Sequence, residues 1–235
     1  MSNFPAAPAS YTVGPGEAHV WRVPLASIHA DTRQLRGLLS PSECARADRF
    51  ALERDAARFI SCRANLRVLL ARYTGVPPER LVLRYEPYGK PSLAGATGWQ
   101  FNVSHSRDLA AIAIARYDAV GVDLERIDPG FPRAEVAPDV LSEDEMRDLA
   151  AMPAEEQAKW FFQLWTLKEA LLKAAGFGFG MDPSKIRIRL NGPPAVISAP
   201  ADFNGASLQQ FSLGEGYASA FAMLGRVTAL SIFSL

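Results

Sequence analysis

The amino-acid sequence predicts an α+β fold of two similar, pseudo-duplicated α+β lobes, with any active site in the cleft between them. Two observations lead to this prediction: a long helical pattern occurs twice, and the same order of strand patterns follows it each time. The chain has 235 residues, of which 49% are hydrophobic. That length and composition suffice for one large domain or two small ones around a packed core.

The first half of the chain contains a long predicted helix followed by three predicted strands. The helix covers residues 55–73 and is expected to end at Gly75, because a glycine followed closely by prolines is a usual stop signal. The strand patterns occupy residues 81–85, 99–103 and 109–116. A turn at Gly89-Lys90-Pro91 presents one lysine but lacks the GxxxxGK[ST] pattern of a P-loop.

The second half repeats this order. A predicted helix at residues 155–175 is closed by Gly176, and strand patterns follow at residues 186–190, 208–213 and 217–224. We therefore expect an N-terminal lobe over residues 1–117 and a C-terminal lobe over residues 118–235. The alternative is a chance similarity of ordinary α+β element order.

Charge and cysteine content exclude several classes of protein. Lysine plus arginine and aspartate plus glutamate both number 25, so the net charge gives no case for nucleic acid or an anionic membrane as partner. Cys44 and Cys62 form no CxxC pair, which argues against a zinc site or a disulfide framework. Sparing use of thiols suits a reducing cytosol, and the longest apolar run, residues 109–115, is far short of the roughly 20 residues that a membrane span needs. A cytoplasmic protein is expected.

A predicted strand at residues 119–127 carries two acids on one face. Gly121, Asp123 and Glu125 alternate with apolar residues, so the two carboxylates lie about 7 Å apart on the same side. They repel each other unless a cation lies between them, and hard oxygen ligands suit magnesium. Gly121 is expected to leave room for a ligand. The alternative is a solvated edge strand whose charge Arg126 balances.

The second predicted helix is apolar except for a thin strip. Thr166, Glu169 and Lys173 line up on one face at i, i+3 and i+7, while the other faces are mostly apolar. In a buried helix such a strip faces a cleft or pairs internally. One interpretation makes Glu169 a general base and Lys173 a phosphate contact; the other is a simple i, i+4 ion pair.

Two polar segments leave similar alternatives open. Ser104, His105 and Ser106 are predicted to end a strand and turn, offering donors for a phosphate or merely satisfying local backbone groups. Ser142 and Glu145 match a helix capping box, yet this acidic segment could supply a third metal ligand. Glu145 is the first choice for that ligand, with Glu143 and Asp144 as alternatives.

Three motifs in order resemble the surfactin-type, two-lobed 4′-phosphopantetheinyl transferase family. They are Phe-Asn-x-Ser-His-Ser at residues 101–106, Gly-Val-Asp-x-Glu at 121–125 and Trp-Thr-x-Lys-Glu-Ala-x-x-Lys at 165–173. The Gly-Lys-Pro turn and Arg58, nine residues before Arg67, also fit the family. Each motif alone is weak or moderate, but the three together at compatible spacings are highly specific.

The resemblance implies transfer of the 4′-phosphopantetheine arm of coenzyme A to a serine of an apo acyl- or peptidyl-carrier protein, with Mg²⁺ and release of 3′,5′-ADP. The alternatives are a non-catalytic module that binds coenzyme A or carriers, a magnesium-dependent nucleotide hydrolase, and a purely structural protein. A monomer is expected, because a cleft between two lobes of one chain needs no second subunit.

The resemblance also assigns roles to residues. It implies that the metal ligands are Asp123, Glu125 and Glu145, and that Glu169 takes the proton from the carrier serine. It implies that Lys173 and His105 contact the phosphates, and that the adenosine end of coenzyme A is bound by Arg58, Lys90, Pro91 and Ser104. Arg46 and Arg49 are candidates for further basic contacts, but no motif fixes them.

Overall fold

The structure is a computed structural model that describes residues 4, 5, 7, 8, 10–25, 32–95 and 98–235. The first half of the chain forms β1 (Glu17–Pro24), α1 (Arg33–Arg36), α2 (Pro41–Ala47), α3 (Glu53–Thr74), β2 (Leu83–Tyr85), β3 (Pro91–Leu93), β4 (Trp99–Ser106) and β5 (Leu109–Arg116). The predicted helix and the three predicted strands of this half are confirmed. The elements β1, α1, α2 and β3 were not predicted.

The second half forms β6 (Val120–Arg126), α4 (Arg133–Val140), α5 (Glu143–Ala150), α6 (Ala154–Ala175), β7 (Arg187–Arg189), β8 (Ala195–Ser198), β9 (Ser207–Gln210), β10 (Tyr217–Met223) and β11 (Ala229–Ser234). The predicted acidic strand is β6 and the predicted apolar helix is α6. The two long helices α3 and α6 both end at a glycine in the left-handed conformation, Gly75 and Gly176. Glycine adopts that conformation without strain, which explains why both stop signals were readable.

Strand pairing follows the same scheme in both halves. One large sheet has the order β11-β1-β5-β4 and the other has the order β6-β10-β9. In the first sheet β1 pairs antiparallel with β5, and β5 pairs with β4; in the second sheet β6 pairs antiparallel with β10, and β10 pairs with β9. Each half also contributes a small hairpin, β2-β3 or β7-β8. This repeated order is consistent with the predicted duplication.

The hydrophobic core lies in layers that stack α3, the first sheet, the second sheet and α6. Successive strand side chains point to opposite faces, so alternate residues of β5 serve different layers. Leu109, Ala111 and Ala113 pack against the apolar face of β6, whereas Ile112 and Ile114 pack with α3. On the other side of the second sheet, α6 packs against β10. The two sheets therefore share one core between them.

Gly121 allows α6 to pack directly on β6. A Cβ atom built there would lie 1.9 Å from the carbonyl oxygen of Ala170 and 2.5 Å from the backbone nitrogen of Ala174. The sequence-based expectation that Gly121 leaves room for a ligand is therefore wrong, because helix backbone fills that space. The close approach brings the polar strip of α6 beside the acids of β6.

The last strand returns to the first sheet. β11 pairs in parallel with β1, so residues 229–234 belong to the sheet of the N-terminal half. The lobe boundary between residues 117 and 118 stays a prediction, and the terminal strand crosses it. Within the described ranges, no helix combines the length and apolar character that a membrane crossing requires.

Candidate active site

Serine hydroxyls of β4 hold the two acids of β6. Ser104 Oγ donates to Asp123 Oδ1 over 2.7 Å, and Ser106 Oγ donates to Glu125 Oε2 over 2.8 Å. Since both serines and both acids occur at alternate positions of their strands, each pair meets face to face. The two strands thus meet through side chains, and the acids are fixed at the junction of the two sheets.

The Ser-His-Ser segment is part of a strand, which corrects the prediction of a turn. β4 continues through Ser106 and pairs with β5 to its end, so the chain turns only at Arg107 and Asp108. A further side chain on the same face, Asn102, accepts a hydrogen bond from the Val122 amide over 3.0 Å. The segment was predicted to offer donors to a phosphate; in the structure both serines donate to carboxylates.

Lys173 of α6 completes this cluster. Its Nζ lies 2.5 Å from Asp123 Oδ1 and donates to Ser104 Oγ over 3.2 Å. Thr166, in contrast, is fully buried and donates its hydroxyl to the backbone of its own helix, so it contributes nothing to the cleft. Lys173 therefore pairs with Asp123 of β6. One alternative from the sequence had been an i, i+4 ion pair between Lys173 and Glu169.

Glu169 is the third acid beside Asp123 and Glu125. The pKa of Glu169 is raised, first by burial and also by the charge of Asp123, while Lys173 opposes the shift. The pKa of Glu125 is raised by burial and then by the charge of Asp123, with Glu169 contributing in the same direction. Asp123 therefore lies close enough to raise the pKa of both Glu125 and Glu169.

Glu145, the predicted third metal ligand, lies in a separate buried network. Its Oε2 accepts from Lys168 Nζ over 2.5 Å and from the Ser142 amide over 2.8 Å, while its Oε1 accepts from the Ile188 amide over 2.8 Å. Glu145 and Lys168 are both almost completely buried. The structure therefore does not bring Glu145 to Asp123 and Glu125; the capping-box interpretation holds, and the carboxylate additionally neutralises a buried lysine.

The alternative acids of that segment are not brought to the pair either. Asp144 forms ion pairs with Arg147 and Arg187 at the start of α5, and Glu143 is exposed. The acid that does lie beside Asp123 and Glu125 is Glu169. The polar strip of α6 had already indicated Glu169, but as a general base.

Asp123 carries the feature that best fits a bound cation. Its Oδ2 is buried and has no hydrogen-bond partner among the described residues, and such an atom is costly unless something binds it. Carboxylate oxygens are the ligands that magnesium prefers. Within the described part of the chain, no group of three or more His, Cys, Asp or Glu side chains has the spacing of a metal site. The ammonium of Lys173 lies against the other oxygen of Asp123.

A cavity of about 230 Å³ opens beside this cluster. Its walls include Lys90, Pro91, Glu169 and Lys173, so it brings together four residues that the sequence predicted for one site. Lys90 Nζ donates to the carbonyl oxygen of Ala174 over 2.8 Å. Burial lowers the pKa of Lys90 to about 8.

His105 lies among cations. The residue is exposed, yet the surrounding protein desolvates the ring and lowers its pKa, and the charges of Lys173, Arg46, Arg58 and Arg63 lower the pKa further. Such a concentration of positive charge suits an anion with several phosphates. The sequence offers no motif for Arg46 and suggests a solvated helix surface for Arg63; the packing of α2 on α3, and of α3 on the first sheet, brings both near His105.

Arg58 is held at the edge of this basic group by acids. Its Nη2 donates to Asp108 Oδ1 over 2.6 Å, and its Nη1 donates to Asp55 Oδ1 over 3.3 Å. These contacts hold the guanidinium between the start of α3 and the β4–β5 turn. Ser104, by contrast, was predicted near the adenosine end of coenzyme A but donates its hydroxyl to Asp123.

Comparison with known proteins identifies the family. A family model described as the 4′-phosphopantetheinyl transferase superfamily matches residues 119–222, and one described as 4′-phosphopantetheinyl transferase, N-terminal, matches residues 26–116. The transferase HetI of Nostoc sp. is 35% identical over 83% of this chain and 84% of its own length. The chain belongs to the 4′-phosphopantetheinyl transferase family. The enzyme class predicted from its motifs is thereby confirmed.

Other members show the same relation along most of the chain. The 4′-phosphopantetheinyl transferase psf-1 of Bacillus pumilus is 33% identical over 80% of this transferase and 79% of its own length. The 4′-phosphopantetheinyl transferase gsp of Aneurinibacillus migulanus is 30% identical over 80% and 77%. The similarity therefore includes the β4–β6 junction and α6, which together build the site.

Proposed function

We propose that this transferase moves the 4′-phosphopantetheine arm of coenzyme A to a serine hydroxyl of an apo acyl- or peptidyl-carrier protein. The observation that supports this most is the convergence of Asp123, Glu125, Glu169 and Lys173 at one point between the two sheets. In the reaction, a bond forms between the serine oxygen and the phosphorus attached to pantetheine. The bond from that phosphorus to the bridging oxygen breaks, and 3′,5′-ADP leaves.

Asp123 and Glu125 are the residues that we propose to hold Mg²⁺; Glu145, the third ligand expected from the sequence, is bonded to Lys168 instead. A metal held there would supply positive charge against the pyrophosphate oxygens. The hydroxyls of Ser104 and Ser106 orient the two acids, as hydrogen bonds from outer partners commonly do for metal ligands. Ser104 thus acts through Asp123 in this proposal, whereas the sequence had suggested a direct contact with coenzyme A.

Glu169 is the residue that we propose as general base. Burial raises its pKa and so makes it a better proton acceptor than an exposed glutamate. It accepts the proton of the serine hydroxyl as the oxygen attacks. Lys173, one helical turn further along α6, balances negative charge on the phosphate that the serine attacks.

The nucleotide end of coenzyme A is proposed to lie on the basic side of the site. Lys90 and Pro91 line the 230 Å³ cavity, and His105 stands among the cations of α2 and α3. To the predicted contact Arg58 the structure adds Arg46 and Arg63, whose charges reach His105. A cytoplasmic, monomeric enzyme remains part of the proposal, as does its service to carriers of fatty acid, polyketide or nonribosomal peptide synthesis.

Analysis of the nucleotide product distinguishes this function from its alternatives. Incubation with coenzyme A, Mg²⁺ and an apo carrier should release 3′,5′-ADP only when the carrier has its serine, and a carrier with that serine replaced by alanine is the control. A binding module would release no nucleotide. A hydrolase would release nucleotide with both carriers. No release at all, or release without the carrier serine, would contradict the proposal.

A further inference from the structure

Arg107 has a backbone conformation that an arginine rarely adopts. It is the first residue of the two-residue turn between β4 and β5, and its φ is 55°, in the left-handed region that favours glycine. Residues with a side chain are strained there, and strain of this kind concentrates at functional sites. The strained backbone therefore suggests that the side chain of Arg107 has a function.

Arg107 lines a second cavity, which also reaches Glu125 of the acid pair. This cavity has a volume of about 190 Å³, and Arg107 lines it together with Glu125, Asp128, Phe131 and Trp165. Arg107 is exposed and has no hydrogen bond or ion pair among the described residues. Asp128 is committed to its own loop, where its Oδ1 accepts from the Gly130 amide. A free cation thus stands at the rim of a partly aromatic cavity that reaches Glu125.

Residues of α6 line both cavities. Lys173, Glu169 and Trp165 follow one another at intervals of four residues, which is about 6 Å per step along one face. Lys173 lines the cavity proposed for coenzyme A, whereas Trp165 lines the cavity of Arg107. Glu169, the proposed base, lies between them.

Phosphoryl transfer places the attacking and leaving oxygens roughly in line across the phosphorus. If 3′,5′-ADP leaves on the side of Lys90 and Lys173, the carrier serine has to arrive from the side of Arg107. We propose that Arg107 is a specificity-determining residue that pairs with an acidic side chain of the carrier near its acceptor serine. This inference rests on the proposed function, and it assigns the 190 Å³ cavity to the carrier side of the site.

Steady-state kinetics of Arg107→Gly test this inference. Glycine relieves the strained conformation, so the variant should fold and have an unchanged or higher melting temperature. With an acidic carrier at low salt we expect its KM for the carrier to rise about tenfold, since a charge pair between proteins governs encounter and recognition. The KM for coenzyme A should stay unchanged, and raising the salt concentration should narrow the difference from the wild type.

Two further variants make the outcome decisive. Arg107→Lys keeps the charge and should recover most of the carrier KM, while Arg84→Ala removes an equally exposed arginine from β2 and should have no effect. An unchanged carrier KM in Arg107→Gly would overturn the inference, as would a rise in the KM for coenzyme A instead. Failure of the proposed function itself is distinct, because the wild type would then transfer nothing.

Discussion

At the scale of single residues, hydrogen bonds decide which acids belong to the site. Asp123 and Glu125 each accept from a serine of β4, and Asp123 keeps one buried oxygen without a partner. Glu145 has both oxygens committed to Lys168 and to backbone amides. A carboxylate is therefore open to a ligand at Asp123, whereas at Glu145 protein groups already occupy both oxygens.

Glu169→Gln tests the proposed base. The amide has nearly the same shape but cannot accept the serine proton, so we expect kcat to fall at least about 100-fold with the fold retained. Steady-state transfer assays would measure this. The matched control is Glu155→Gln, an exposed position in the first turn of the same helix. Wild-type turnover in Glu169→Gln would remove the residue from the mechanism.

Lys90 predicts a pH dependence. Burial lowers its pKa from 10.5 to about 8, so its charge is lost as the pH rises through that value. If the ammonium binds coenzyme A, kcat/KM for coenzyme A should decline above about pH 8, because this ratio reports groups of the free enzyme. Lys90→Arg should stay charged and abolish the decline. A profile that is the same in both proteins would exclude Lys90 from binding.

Glu145 and Lys168 form a buried ion pair. Breaking this pair should lower the unfolding free energy without changing the Mg²⁺ requirement of the enzyme. Lys168→Met leaves a buried carboxylate uncompensated and should cost about 3–5 kcal/mol of unfolding free energy. Adding Glu145→Gln should recover part of that loss, as measured by denaturant unfolding.

Glu145→Gln alone then decides between the two roles of this residue. If its role is structural, the remaining folded enzyme should need no more Mg²⁺ for half-maximal activity than the wild type. A large increase in the required Mg²⁺ at unchanged stability would instead make Glu145 a metal ligand.

At the scale of elements, the contact between α6 and β6 builds the site. Gly121→Ala puts a methyl group 1.9 Å from the Ala170 carbonyl oxygen, so the helix must move away from the strand. We expect a loss of about 3 kcal/mol or more of unfolding free energy. Gly214→Ala is the control, because its nearest neighbour atom lies 3.8 Å away. Equal stability of the two variants would contradict the tight packing.

The long elements could be predicted from the sequence, but their partners could not. The helix α6 shows a clear apolar stripe, both long helices show glycine stops, and β6 shows strict alternation around Asp123. The pairing of β11 with β1 and the contact between Glu145 and Lys168 join residues that no local pattern connects. Arg46 and Arg63 come near His105 because α2 packs on α3 and α3 packs on the first sheet.

At the scale of the whole molecule, the two halves share a strand order, but the carboxylates of the candidate site come from the second half alone. The strand that corresponds to β6 in the first half is β1, where His19 and Trp21 face α3. Both are hydrogen-bonded to the hydroxyl of Tyr73, over 2.7 and 2.8 Å. An aromatic cluster thus fills the position that acids and Lys173 occupy in the second half.

The corresponding strands β1 and β6 also differ in how one edge is covered. The edge of β1 is closed by backbone pairing with β11. At β6 the neighbouring strand β4 instead approaches through the side chains of Asn102, Ser104 and Ser106. This difference leaves the acids at the junction of β4 and β6, where the proposed site lies.

The most direct test of that site is the intact mass of an apo carrier protein after incubation with this enzyme, coenzyme A and Mg²⁺. We predict that the carrier gains the mass of one phosphopantetheinyl group, and that the gain disappears with EDTA or with Asp123→Asn. The same gain with Asp123→Asn would contradict the proposed site. No gain on fatty acid, polyketide and peptide carriers alike would contradict the transfer itself.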